Sequence, residues 1–186
     1  MSRETLSKSV TLSMGGNEPV YYFQLQQDSL YQQPLSLEKV GRNTEFQERN
    51  QFFVDENKGE PFYLDYMEEP RWFVSHAMKE WLEKCDPSLS FQVAVLTERS
   101  TQQQRTYWLM EPAHVECLSE KADVDMNGNC KRLILNKRKL KSERIFRVAG
   151  LRENVLIIRL DISESLFRRA FTGFQCIPVE FDETME

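Results

Sequence analysis

Residues 155–181, VLIIRLDISESLFRRAFTGFQCIPVEF, decide the fold class. They read as an apolar strand, a serine suited to capping, a short helix, a break at Gly173 and a second strand. Residues 71–96, RWFVSHAMKEWLEKCDPSLSFQVAVL, repeat that order. Here Trp72 to Val74 form a strand, and the Ser75 hydroxyl can accept an otherwise unpaired amide hydrogen at a helix start. Ala77, Met78, Trp81, Leu82 and Cys85 then fall at the three-and-four spacing of one buried helical face. Asp86-Pro87 ends the helix, and FQVAVL at 91–96 is the next strand. Ser163 corresponds to Ser75, Leu166 to Met78, and Phe174-Gln175 to Phe91-Gln92. A helix with one apolar face needs a sheet to bury it, which is a mechanical reason for the pattern to recur.

Outward from these two units the chain is rich in strands. VYYFQLQ at 20–26, QRTYWLM at 104–110, RLIL at 132–135 and RIFRV at 144–148 carry β-branched and aromatic residues. FFVDENKGEPFYLDY at 52–66 reads as two short strands around a polar turn, with Asn57, Lys58 and Gly59 at its tip. Asp125, Asn127, Gly128 and Asn129 form a turn signal. The expectation is α+β: about eight strands in a mixed, largely antiparallel sheet, with two strand–helix–strand units and two or three helices. A chain of 186 residues fits one domain, with 1–19 frayed, 20–70 rich in strands and 71–181 carrying the helices.

Hydrophobic residues make up 40% and charged residues 28% of the chain, which excludes a disordered tail. No run of eighteen apolar residues occurs, and MSRETLSKSVTLSMGG lacks the apolar core of a secretory signal, so the cytosol is the expected compartment. Cys85, Cys117, Cys130 and Cys176 stand far apart and read as reduced, mostly buried thiols. The net charge of −5 conceals a contrast. KRLILNKRKLKSERIFR at 131–147 holds eight Lys or Arg against one Glu, so the remainder is distinctly acidic.

Motifs for chemistry are weak. His76 and His114 lack a nucleophile elbow around them, and Ser75 beside His76 is explained by helix capping. His114, Cys117 and Cys130 offer three zinc ligands without a fourth. DVDMNGNC at 123–130 resembles a calcium loop but has Ile134 where the loop requires its bidentate Glu. Gly15-Gly16 precedes no Gly-Lys-Ser or Gly-Lys-Thr, which removes a phosphate loop. The reading is therefore a protein with no catalytic residues, metal or cofactor. Its alternative is a nucleic-acid-binding module that uses 131–147, whose eight cations could follow a phosphate backbone. Several of those cations are expected on the outer faces of strands, with Leu133, Leu135, Ile145 and Phe146 inward.

Four patterns, WFVSHAMKEWLE, YWLMEPAHVECLSEKA, RIFRVAG and FTGFQCIPVEF, resemble over residues 71–181 a bacterial family of immunity proteins that accompany polymorphic and contact-dependent toxins. Glu116, Ser119 and Ala122 depart from the family pattern, which has Asp, Asp and Ser there. The resemblance implies a cytosolic antidote that binds and neutralises a cognate toxin encoded nearby, without catalysis. It assigns structural roles to Gly173, Phe146, Phe174 and Pro178, the last on an edge strand. Against a nuclease, carboxylates would meet a basic groove. The expected contact residues are therefore Asp55, Glu56, Glu60, Tyr63, Asp65, Tyr66, Glu68 and Glu69, an acidic run interleaved with aromatic anchors.

Overall fold

The computed structural model describes residues 21–31, 37–39, 50–54 and 61–182. Two sheets carry the fold. One contains β2 (Leu37–Lys39), β3 (Asn50–Val54), β4 (Tyr66–Met67), β5 (Phe73–Val74), β6 (Ser90–Glu98) and β7 (Gln104–Glu111), in the order β2-β3-β6-β7-β5-β4. The other joins β1 (Tyr22–Gln27) to β8 (Ala113–Val115), β12 (Ile145–Val148), β13 (Leu156–Arg159) and β14 (Phe174–Pro178), in the order β14-β1-β13-β12-β8. Two small pairs complete it: β9 (Asp123–Val124) with β10 (Cys130–Arg132), and β11 (Ile134–Leu135) with β15 (Glu180–Phe181). The β3–β6, β8–β12 and β11–β15 pairings are parallel and the others antiparallel. With α1 (His76–Cys85) and α2 (Leu160–Arg168), this is the expected α+β class. The strands outnumber the expected eight because several span two or three residues, too few to show a period.

Alternation along the strands sets the layers. Val74 and Met110 point to a central core with Leu25, Leu156 and Ile158 of the second sheet, and Met78, Leu82, Ile162 and Leu166 of the helices fill it. The opposite neighbours, Phe73, Tyr107 and Leu109, face a second cluster under Leu64 and Phe52. Ile157, Phe146 and Val148 face a third, closed by Cys117 and Leu135. Each fully buried aliphatic side chain contributes roughly 1.5–3 kcal/mol relative to exposure. The helices and both sheets thus share one core, with a smaller apolar layer behind each sheet.

Ser75 caps α1 as its sequence requires, accepting from Met78 N at 3.2 Å. Ala77, expected on the buried face, is exposed; Met78 and Leu82 carry the burial, with Trp81 and Cys85 packed beside them. Ser163 does not cap α2. That helix starts directly from β13 with Arg159 at the cap position and no side-chain cap, and the Ser163 hydroxyl lies within it, donating to Leu160 O at 2.9 Å. The expected hairpin at 52–66 is also corrected. β3 pairs with β2 and, in parallel, with β6, whereas residues 61–65 lie outside any strand. The tip residues Asn57, Lys58 and Gly59, and residues 1–19, lie outside the described residues.

Gly173 follows α2 at φ +93°, and a Cβ there would stand 2.3 Å from Tyr66 O. Pro178 lies in β14, an edge strand, as expected, and Phe146 and Phe174 are buried. The turn at 125–129 joins β9 to β10, with Asp125 Oδ1 accepting from Asn127 N at 2.8 Å and Asn129 N at 3.0 Å. All four cysteines are free thiols, and only Cys117 is fully buried. Among the described residues no helix is long and apolar enough to cross a membrane.

Candidate partner-binding surface

Among the described residues, those expected to meet a partner separate once folded. Asp55, Glu56 and Glu60 lie outside the described residues. Tyr66 is 0% exposed, a correction: β4 is covered on both faces, so this ring is core. Asp65 is turned inward as a clamp, accepting from Ser75 Oγ at 2.7 Å and from Thr172 N and Oγ1 at 2.9 Å each. It ties the start of α1 to the turn before β14. Tyr63 is half-buried and donates to Glu98 Oε1 at 2.5 Å, with the Arg105 guanidinium 4.1 Å over its ring. Burial, then the Glu98 hydrogen bond, push its hydroxyl up to about 12.

Glu68 and Glu69 stay together at the surface. Glu68 Oε2 accepts from Gln27 N at 3.0 Å while Glu68 N donates to Gln27 Oε1 at 3.1 Å, so β1 fixes the position of the pair. Burial raises the Glu68 pKa, opposed by the Gln27 backbone hydrogen bond. Both carboxylates line a cleft of about 490 Å³ with Gln24, Arg152 and Glu153, an acidic surface overall. Nearby in sequence, Phe62 is 58% exposed and stacks on Tyr31 at 5.5 Å.

Asn154 also lines a second cleft of about 550 Å³, between the ends of the two sheets. The chain builds it by passing from β7 through Pro112 straight into β8, leaving one sheet for the other without a loop. β8 then pairs in parallel with β12, placing His114 opposite Arg147. Arg71 and Trp72 close the other wall, where Arg71 pairs with Glu111 and Gln92 Nε2 donates to the same carboxylate at 3.1 Å. Trp72 and Arg147 had readable signals, an aromatic beside acids and a member of the basic segment. Nothing local marked Asn154, and His114 gained its place only through long-range strand pairing.

The basic segment does not form one row. Arg144 turns to the helices, pairing with Asp161 and donating to Cys85 O. Arg147 enters the second cleft, whereas Lys131 and Arg132 on β10 are exposed, as expected of several of these cations. Arg132 pairs with Glu180 at 2.6 Å, while Lys137, Arg138, Lys139 and Lys141 are exposed around a 3-10 turn at Lys137–Lys139. Leu135, Ile145 and Phe146 point inward as expected, Ile134 with them, and Leu133 is half-buried. Among the described residues no three His, Cys, Asp or Glu side chains are grouped to hold a metal ion.

A model of the immunity protein family (Imm11) matches residues 7–179. The chain belongs to this family, which associates it with toxin immunity. The match reaches well upstream of residue 71, where the four sequence patterns begin, and takes in β1 and β3. A search of curated proteins gives no match.

Proposed function

We propose that the protein is a cytosolic immunity protein of a bacterial polymorphic toxin system. It binds a cognate toxin encoded nearby and neutralises it by protein–protein contact, without catalysis or cofactor. The observation that carries this reading is the family match over residues 7–179. The acidic cleft supports it, because Glu68 and Glu69 are held at the surface by β1 and would accelerate encounter with a basic partner. We assign the contact surface to these two carboxylates and to Phe62, an exposed aromatic anchor. Asp55, Glu56 and Glu60 are proposed as further contacts from their charge in the sequence.

Co-expression with the product of the neighbouring gene tests the reading, with host survival and co-purification as the two measurements. Rescue together with a stoichiometric complex is the expected result. A harmless neighbour that fails to co-purify would overturn it.

A further inference from the structure

We propose that the cleft between the two sheets is a second contact site that receives a carboxylate from an Asp or Glu side chain of the partner protein. This rests on the immunity reading above and gives its interface a second site of the opposite preference. The cleft presents a cation, Arg147, that the fold leaves without a carboxylate among the described residues, and Trp72 packs beneath it. Trp72, 5% exposed, lines it with its Nε1 closed off from solvent, so its indole N–H reports on the cleft without contacting a ligand. Arg147 stands beside it, its guanidinium 5.9 Å from the centre of the Trp72 ring. Arg71 is matched by Glu111, whereas Arg147 has no carboxylate partner among the described residues. His114, its register partner across β8 and β12, and Asn154 at the rim are exposed and add further donor capacity.

The charge around the cleft selects a single carboxylate over a polyanion. Glu111 lies within it, and Glu68, Glu69 and Glu153 line the adjoining cleft across Asn154. A nucleic-acid backbone would bring successive phosphates against those four acids, whereas one carboxylate reaches Arg147 alone. A protein surface carrying an acid next to a cation matches the paired clefts, its cation toward Glu68 and Glu69.

The chain has three tryptophans, so three indole N–H signals appear in a ¹⁵N-edited spectrum, and Trp72→Phe assigns that of Trp72. Sodium acetate should shift this signal saturably, sodium chloride at equal ionic strength should not, and Arg147→Gln should abolish the shift. No saturable shift overturns the proposal, as does a shift produced by a short DNA oligonucleotide and not by acetate. In the complex with the neighbouring gene product, Arg147→Glu should weaken binding by about tenfold or more, Arg147→Lys by less, and Lys141→Glu hardly at all. Equal weakening by Arg147→Glu and Lys141→Glu would show only a general charge effect and overturn the site. Melting curves of each variant separate lost binding from lost fold. If the wild-type protein gives neither rescue nor complex, the immunity reading falls, while the acetate titration still decides the chemistry of the cleft.

Discussion

The two strand–helix–strand units do the same work by different means. In the first, α1 begins at a serine whose hydroxyl holds a backbone amide, a signal contained in four consecutive residues. In the second, α2 begins with no side-chain cap, and Asp161 in its first turn is gripped by Arg159 at 2.7 Å and by Arg144 from the loop before β12. Both helices bury an aliphatic side chain completely, Met78 in one and Leu166 in the other. The packing demand is therefore common to the two units, while the device that starts the helix is local in one and assembled from distant residues in the other.

The sharpest break in the comparison is Gly173, which has no counterpart in the first unit. Gly173→Ala should cost upward of about 3 kcal/mol, because a Cβ would meet Tyr66 O and Leu64 at a backbone angle that side chains rarely adopt. Chemical denaturation would measure it, and a loss below ~1 kcal/mol would mean that the turn relaxes freely. Next, Leu166→Ala and Met78→Ala should each cost about 2–5 kcal/mol, and similar values would confirm that the two helices are equally anchored. Ser75→Ala should cost ~1 kcal/mol from the lost cap, and Ser163→Ala less, since its hydroxyl returns only to the helix carbonyl at Leu160. Equal losses would contradict the assignment of capping to Ser75 alone.

The smallest effect concerns pH. Arg159, and after it Arg144, hold the Asp161 carboxyl well below the usual carboxylate range. A lowered folded pKa contributes stability that is present above the unfolded value, about 3.9, and is lost as pH falls through the folded one. The side chain is 43% exposed, so solvent screening keeps this contribution to about 1 kcal/mol or less. Asp161→Asn should therefore flatten the acid side of the stability profile below about pH 4. A profile with the wild-type slope would show that the arginines do not favour the ionised form.

What the sequence showed depended on how far apart the deciding residues lie. The start and end of α1 were legible because Ser75 and Asp86-Pro87 act within a turn of the helix. The start of α2 was misread because its stabilising Arg144 comes from a separate part of the chain. β3 was mistaken for half of a hairpin because its partner β6 lies beyond α1, and a parallel pairing leaves no turn between its strands. Tyr66 looked like an anchor among acids, yet an aromatic in an acidic run carries no local sign of being covered on both faces. The donor-rich cleft draws Trp72, His114, Arg147 and Asn154 from four places. Each was visible as a residue type, but their meeting was set by the passage from β7 into β8.

The position of β1 has a consequence for how the molecule is made. It lies between β13 and β14, so Leu25 is flanked by Leu156 on one side and Cys176 on the other. Ribosomes release chains from the amino terminus, and β1 emerges with neither neighbour yet synthesised. A chain cut short before β14 leaves β1 as the edge of its sheet, its backbone groups on that side unpaired and open to another strand.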